Sequence, residues 1–217
     1  MPHNPAWDRV KVGDFAKRGL QIHGIVHVGA NDGFEVSWYL EMGIRHILCF
    51  EPLQEAFDRF HSQYGKAAEV EIKLCALANF DGSAELRVAQ GDGQGSSLLD
   101  PLIQDATAPL HYVVEDRRIV PVARFDTLVT AGEVDPGLYN CLVVDVQGLE
   151  LPVLQGFGKH LHNFDMLNIE CSGRPIYVGE VEAEAVIDYV GHYGFRAITP
   201  VESHDDILFV KAKSHEG

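Results

Sequence analysis

Three acidic residues come at the ends of apolar, strand-like runs, where a carboxylate can meet a ligand. Glu51 closes HILCFE, Asp145 follows CLVV and Glu170 closes MLNIE. In an open parallel sheet, ligands sit at the carboxyl ends of the strands. A carboxylate there can accept the hydroxyls of a ribose, as at Glu51, or take a proton from a reacting group, as at Asp145 and Glu170. A helix cap at Asp145 and a loop anchor at Glu170 are the structural alternatives.

A fourth acid, Asp32, lies in the glycine-containing turn of IVHVGANDGF, residues 25–34. Gly29 allows a tight exit from the strand, and Gly33 allows the backbone to approach a ligand. The dinucleotide fingerprint needs one more glycine, and an acid at a helix start repels a pyrophosphate. An acidic loop suits a ligand with sulfonium and ammonium groups, such as S-adenosylmethionine. The alternative is that Asp32 is only a helix cap.

Strand-like and helical segments alternate along most of the chain. Strands are predicted at residues 25–28, 46–51, 70–76, 142–146 and 166–171. Helices are predicted at residues 34–42, 53–64, 150–157 and 180–193. Apolar strands separated by helices indicate an α/β fold with a parallel sheet covered on both faces. Residues 195–199 and 207–211 are predicted to close the sheet as an antiparallel pair.

The chain is predicted to form a single domain, residues 1–217, because no linker or repeat divides it. Residues 1–22 are interpreted as an N-terminal extension and residues 79–140 as an insertion between two core strands. The insertion holds the turn GDGQGSSLL and strand-like residues 84–89 and 118–125. Insertions of this length tend to form lids or binding sites. Ser96 and Ser97 would then close over an acceptor, or form a plain turn.

The composition argues against nucleic acid and membranes as partners. With 32 acidic and 17 basic residues the chain carries a formal charge of −15, which repels phosphates and anionic lipids. No apolar stretch reaches the roughly 18 residues of a membrane span, and the polar start MPHNPAWDRVKVGDF has no secretory signal region. The four cysteines lie in apolar runs without metal-like spacing, which favours buried, reduced thiols and a cytoplasmic location. Asp145 and Glu170 could share Mg²⁺, but no further oxygen ligands are recognisable and no metal site is predicted.

Several motifs, in this order, resemble those of the FkbM family of S-adenosylmethionine-dependent methyltransferases. They are VHVGANDG, FEP at residues 50–52, CALAN at 75–79, GSSLL at 95–99, VPVARFDTL at 120–128 and VVDVQGLELPVLQGF at 143–157. The resemblance extends from about residue 23 to residue 171. It implies a Rossmann-like class I methyltransferase fold, with a mostly parallel seven-stranded sheet, a C-terminal antiparallel strand and an inserted β-hairpin region.

The resemblance also implies which residues hold the cofactor S-adenosylmethionine. They are Gly29, Ala30, Asn31, Gly33, Glu51, Pro52, Leu53, Ala76 and Leu77, and His27, Asp32 and Asp145 are predicted to bind the cofactor beside them. The first loop would line the methionine half, Glu51 the ribose, and residues 52, 53, 76 and 77 the adenine. His27 stands where the family more often has aspartate, and Gln147 where it more often has glutamate. Asp32 would then compensate for His27 at the methionine amino group.

The predicted activity is transfer of a methyl group from S-adenosylmethionine to a hydroxyl of a small-molecule acceptor, such as a saccharide. Asp145 is the first candidate for the general base, and Glu170 is the second. A non-catalytic module that only binds S-adenosylmethionine is one alternative, suggested by the departures at His27 and Gln147. A nicotinamide-dependent oxidoreductase is another, although Asp32 and the incomplete glycine pattern argue against it.

Overall fold

The computed structural model describes residue 15 and residues 17–103, 109–200 and 204–212. The strands in these parts are β1 (Gly24–Val28), β2 (His46–Phe50), β3 (Val70–Lys73), β4 (Ala76–Leu77), β5 (Gly82–Ala89), β6 (Val114–Ala123), β7 (Cys141–Val144), β8 (Met166–Ser172), β9 (Phe195–Ala197) and β10 (His204–Lys211). The helices are α1 (Val36–Glu41), α2 (Gln54–Tyr64), α3 (Phe125–Thr130), α4 (Glu150–Phe157) and α5 (Ala183–Gly191). Within the described residues, no helix is long and apolar enough to span a membrane.

A seven-stranded sheet in the order β3-β2-β1-β7-β8-β10-β9 forms the centre of the molecule. The first five strands of that order are parallel, and β10 runs antiparallel to both β8 and β9. The order reverses between β1 and β7, so the loops after these strands diverge and leave a crevice at their carboxyl ends. This confirms the mostly parallel sheet and its antiparallel closing pair.

Both faces of the sheet are buried, because neighbouring residues of a strand point to opposite sides. Val26, Val28 and Leu142 belong to the core on the face covered by α3, α4 and α5. Ile25 and Val143 belong to the core on the other face, with residues of α1 and α2. A parallel sheet covered on both sides needs strands that are apolar throughout, which explains the unbroken apolar runs. All four cysteines carry free thiols, three of them buried.

The predicted strand at residues 70–76 is wrong in one respect. β3 ends at Lys73, and Ala76 begins β4, which pairs in parallel with β6 in a separate three-stranded sheet. The chain turns between them, where Cys75 N–H donates to the Lys73 carbonyl at 3.0 Å. Apolar residues continue past the end of β3 at Leu74, Cys75 and Ala76, so the sequence suggests a single strand across the turn. β5 and β6 pair antiparallel, as predicted for the insertion.

The strand predicted at residues 118–125 also ends earlier in the structure. β6 stops at Ala123, and Phe125 is the first residue of α3. A distant acid stabilises this helix start, since Asp81 accepts the Arg124 N–H and the Thr127 hydroxyl, both at 2.8 Å. Such a capping contact cannot be read from the local pattern, because the capping side chain lies 43 residues away in sequence.

Candidate active site

A cavity of about 740 Å³ opens at the carboxyl ends of β1, β2, β7 and β8. Its size lies within the usual range for small-molecule sites, about 300–1,000 Å³. It is lined by Val28, Gly29, Ala30, Asn31, Asp32, Phe34, Glu35, Phe50, Glu51, Pro52, Cys75, Ala76, Leu77, Leu86, residues 92–98, His111, Tyr112, Asp145, Val146, Gln147, Leu149 and Glu170. Nine of the twelve predicted cofactor-binding residues and both predicted catalytic residues are in this set.

Glu51 joins the end of β2 to the loop after β1. Its side chain is buried, and its two carboxylate oxygens accept the Asn31 N–H at 2.9 Å and the Leu53 N–H at 2.7 Å. Burial raises the pKa of Glu51 to about 7, against the opposing effect of these two hydrogen bonds and of Arg59. Each carboxylate oxygen can accept more than one hydrogen bond, so both can still take donors from the cavity.

Gly29 allows the loops after β1 and β7 to come into contact. It has a φ of 84°, and a Cβ atom placed there would lie 1.7 Å from the Asp145 carbonyl oxygen. The Asp145 N–H in turn donates to the Val28 carbonyl at 3.0 Å. A side chain at position 29 would therefore push Asp145 away from the first loop.

Asp145 and Glu170 are linked through the side-chain amide of Gln147. The Gln147 Nε2 donates to Asp145 Oδ1 at 2.7 Å and to Glu170 Oε2 at 2.6 Å. Burial and the adjacent Asp145 carboxylate raise the pKa of Glu170 well above its usual range, which favours a proton on Glu170 that is hydrogen-bonded to Asp145. A protonated and an unprotonated carboxyl side by side form a unit that can both accept and donate a proton.

The structure places three predicted cofactor-binding residues outside the cavity lining. His27 is buried and its Nδ1 lies 3.2 Å from the Tyr39 hydroxyl, because its side chain faces the α1 side of the sheet. Gly33 is required for packing, since a Cβ atom there would come within 2.5 Å of the Phe60 ring. Leu53 packs its side chain beneath β5 and β6, and only its N–H reaches Glu51.

The glycine-rich turn of the insertion forms one wall of the cavity. Its Ser97 is buried, donates to the Gln147 carbonyl at 2.6 Å and accepts the Leu99 N–H. Ser96 accepts the Ala89 N–H at 3.0 Å. Both hydroxyls therefore hold the turn in place. Arg59 was missed from the sequence; it lies 3.4 Å from Asn31 Oδ1 and 3.1 Å from the Asp92 carbonyl, and so joins the two loops.

Tyr112 and Tyr177 were also missed from the sequence. Tyr112 lines the cavity, and its ring packs edge-on against that of Tyr177. The Tyr177 hydroxyl lies 2.9 Å from Gln147 Oε1. No local motif marks either residue, since each acts through a contact that is distant in sequence. Within the described residues, no group of three or more His, Cys, Asp or Glu side chains is arranged to hold a metal ion.

Comparison with known proteins agrees with this geometry. A family model for the methyltransferase FkbM domain matches residues 27–197. The chain belongs to the FkbM methyltransferase family. The FkbM match begins within β1 and ends at the last residue of β9, so it contains Glu51, Asp145 and Glu170. The resemblance seen in the sequence motifs is thereby confirmed.

The FkbM-family chain is 23% identical over 197 residues to the 2-O-methyltransferase NoeI of Sinorhizobium fredii (strain NBRC 101917 / NGR234), covering 87% of this chain and 79% of that one. Methyltransferase FkbM from Methylobacillus flagellatus KT matches with a TM-score of 0.52 at 13% identity, over 87% of this chain and 43% of that longer one. The magnesium protoporphyrin IX methyltransferase ChlM from Synechocystis PCC 6803, solved with bound S-adenosylmethionine, matches with a TM-score of 0.50 at 10% identity, over 94% and 77% of the two chains. At these identities the solved structures share the fold, which is that of class I Rossmann-like methyltransferases.

Proposed function

We propose that this methyltransferase uses S-adenosylmethionine to methylate a hydroxyl group of a saccharide or another small hydroxylated acceptor. The observation that carries the proposal is the placement of Glu51 and the Asp145–Glu170 pair around one cavity. The likeness to a 2-O-methyltransferase supports oxygen as the methylated atom.

The cavity residues fit S-adenosylmethionine. The buried carboxylate of Glu51 lines the cavity, and its two oxygens can accept the two ribose hydroxyls. Asp32, Glu35 and Asp145 give the lining a negative field that suits the sulfonium and ammonium groups. Pro52, Ala76 and Leu77 offer an apolar surface to an adenine ring. When bound, the cofactor supplies a methyl group on a positively charged sulfur.

The chain's own contribution is to align the acceptor, exclude water and remove a proton. The Asp145 carboxylate takes the proton of the acceptor hydroxyl as the acceptor oxygen bonds to the methyl carbon. The methyl group would come from the bound cofactor, whose sulfur would keep the electron pair of the methyl–sulfur bond, so that charge and atoms balance. A positioned base of this kind accelerates transfer by roughly 10²–10⁴-fold.

Acceptor recognition is assigned to the insertion at residues 79–140, within a single methyltransferase domain. Residues 92–98, His111 and Tyr112 of the insertion line the cavity. They include the ring of Tyr112, whose apolar face can pack against a sugar ring. A screen of glycosides and hydroxylated metabolites with methyl-labelled S-adenosylmethionine should give a labelled O-methyl product.

The class of cofactor is tested by titrating the protein with S-adenosylhomocysteine and with NADH, with binding measured by calorimetry. We expect S-adenosylhomocysteine to bind tightly and NADH weakly, because Asp32 at the loop repels a pyrophosphate. Tighter binding of NADH would contradict the proposal. Binding of S-adenosylhomocysteine without transfer to any acceptor would identify a non-catalytic module.

Replacement of Asp145 by asparagine tests the base. We expect methyl transfer to fall at least tenfold, and about 10²–10⁴-fold for a full base role, while S-adenosylmethionine affinity changes little. The introduced asparagine side chain still offers an oxygen to the Gln147 amide, so the site should stay assembled. The matched control is Asp58→Asn, at an exposed carboxylate of α2 that accepts from Gln54. Unchanged turnover in Asp145→Asn would remove Asp145 as the base.

A further inference from the structure

Gln147 has an unusual backbone conformation for a residue with a side chain. Its φ is 56°, in the left-handed region, and Gly148 follows with a φ of 98°. Among the described residues, Asn31 in the first loop is the other non-glycine residue with positive φ. Unfavourable backbone conformations persist where surrounding contacts hold them, and they cluster at functional sites. Both residues lie on the cavity wall.

The contacts of Gln147 fix the orientation of its side-chain amide. The Nε2 group has two hydrogens, and it lies 2.7 Å from Asp145 Oδ1 and 2.6 Å from Glu170 Oε2. The Oε1 atom accepts from the Tyr177 hydroxyl at 2.9 Å. Below the side chain, the backbone carbonyl accepts from Ser97 at 2.6 Å. The amide therefore presents donors, and no acceptor, to the two carboxyl groups.

The groups that act on the pair are carboxyl groups and phenols, and the basic His111 lines the same cavity. From the neighbouring elements they are Glu51 after β2, Glu150 at the start of α4, Asp206 on β10, and the phenols of Tyr112 and Tyr177. The carboxyl groups among them oppose a second ionisation of the pair whenever they are themselves ionised. The Gln147 N–H groups act in the opposite sense, because hydrogen bonds to a carboxylate stabilise its charged form.

We propose that Gln147 is a positioning residue, whose amide holds Asp145 and Glu170 together as a pair that shares one proton and keeps Asp145 free to act as the base. This proposal rests on the proposed function, because Asp145 serves as a base only if the protein transfers methyl groups. The shared proton, in contrast, is a property of the ligand-free protein. Replacement of Gln147 by methionine keeps the length of the side chain and removes both donors. Tyr177→Phe removes the hydroxyl that orients the amide.

The first measurement is an infrared titration of the ligand-free protein, which follows the carbonyl stretch of protonated carboxyl groups. We expect the wild type to keep a protonated carboxyl at neutral pH that Glu170→Gln lacks. In Gln147→Met both titration steps of the pair should move to higher pH, by about one unit or more, which corresponds to tenfold in proton affinity. Tyr177→Phe should move them in the same direction by less.

The second measurement is the pH profile of kcat and KM. In Gln147→Met the acid limb of kcat should move to higher pH by the same amount as the infrared titration, while KM for S-adenosylmethionine changes less than twofold. A purely structural role would instead change KM and kcat together at every pH. The control is Gln63→Met, at an exposed residue of α2.

The outcomes separate the two proposals. If the wild type transfers no methyl group, the proposed function fails, and the infrared titration still decides the role of Gln147. If both the infrared titration and the acid limb of Gln147→Met match the wild type, the positioning role is overturned. If Gln147→Met does not fold, Tyr177→Phe decides in its place, and titration steps that match the wild type there overturn it.

Discussion

Glu51 is a single residue that connects the cavity to the stability of the fold. It is 7% exposed, and its two oxygens accept backbone N–H groups from the segments that follow β1 and β2. Its carboxyl is thus part of the framework of the first loop as well as the expected partner of a ribose. A buried acid in such a position must make folding depend on pH.

We expect the free energy of unfolding to fall as pH rises from about 4.5 to 7. The pKa of Glu51 rises from 4.5 to about 7 on folding, so within this window the unfolded chain releases a proton that the folded protein keeps. The stabilisation that protonated Glu51 gives the folded protein is therefore complete below pH 4.5 and lost above pH 7. It amounts to about 3 kcal/mol of the free energy of unfolding. Urea denaturation of the ligand-free protein at several pH values measures this fall.

Glu51→Gln should make that fall smaller, because the amide does not titrate. Burial also raises the pKa of Glu150 to about 8, so part of the fall will remain in the variant, and the difference between the two proteins isolates Glu51. Glu184→Gln, at an exposed position of α5, is the matched control and should leave the slope as in the wild type. An equal slope in Glu51→Gln and the wild type would contradict this account.

At the residue scale, the sequence was sufficient to predict the acidic residues that lie at the ends of strands. Glu51, Asp145 and Glu170 each follow an apolar run, and parallel strands bring such ends together. His27 was predicted to bind the cofactor, but its side chain lies beside Tyr39, away from the cavity lining. A resemblance in sequence does not specify on which side of a strand a substituted side chain lies. Tyr177 could not be found, since its role depends on a contact with a residue 30 positions away.

At the element scale, the position of the base depends on how closely β1 and β7 end together. A residue with a side chain loses about 1–2 kcal/mol of stability in the left-handed conformation alone. Gly29→Ala should destabilise the protein by more than this, because the new Cβ would lie 1.7 Å from the Asp145 carbonyl oxygen. Methyl transfer should fall as well. Gly43→Ala is the matched control, since Gly43 has a φ of 81° and no neighbour within 4 Å of an added Cβ.

Urea denaturation of Gly29→Ala and Gly43→Ala separates two effects, the cost of the left-handed backbone conformation and the steric clash with the Asp145 carbonyl. Equal losses of stability would mean that only backbone conformation matters at position 29. A larger loss in Gly29→Ala, together with a larger loss of kcat, is expected if the close approach sets the position of Asp145. The two φ values differ by only a few degrees, so the comparison does not depend on the intrinsic preference of alanine.

The elements themselves were largely predictable, and the exceptions have a common cause. The core strands and the helix at Glu150–Phe157 follow from local apolar patterns and were found. β3 and β4 were merged and the start of α3 was taken for a strand. The reason is that apolar residues occur on both sides of each boundary, as at Ile72 and Leu74 and at Ala123 and Phe125. The boundaries are set by pairing with β6 and by capping from Asp81, which are tertiary contacts.

At the scale of the whole molecule, charge should govern which acceptors are used. The chain has a formal charge of −15. Among the described lining residues His111 is the basic one, whereas Asp32, Glu35, Glu51, Asp92, Asp145 and Glu170 are acidic. An acceptor that carries a carboxylate should therefore have at least a tenfold lower kcat/KM than its uncharged counterpart, equivalent to about 1.4 kcal/mol.

The measurement compares a neutral glycoside with the corresponding uronic acid at low and high salt. The difference should narrow as ionic strength rises, because salt screens charges in a site that is open to solvent. A glycoside with an amino group should be used at least as well as the neutral one. Equal turnover of the neutral and the carboxylate-bearing acceptor at low salt would contradict the prediction.

The contact between Ser97 and Gln147 means that one wall of the cavity and the carboxyl pair are fastened to each other. Ser97 donates to the Gln147 carbonyl, and the Tyr177 hydroxyl beside Gln147 also lies 3.2 Å from the Gly95 carbonyl. Swinging the glycine-rich turn outward would break the contacts that hold Gln147 in its left-handed conformation. If Asp145 is the base, as proposed, outward movement of the turn would therefore disturb the carboxyl pair, and methyl transfer would require the turn to stay in place.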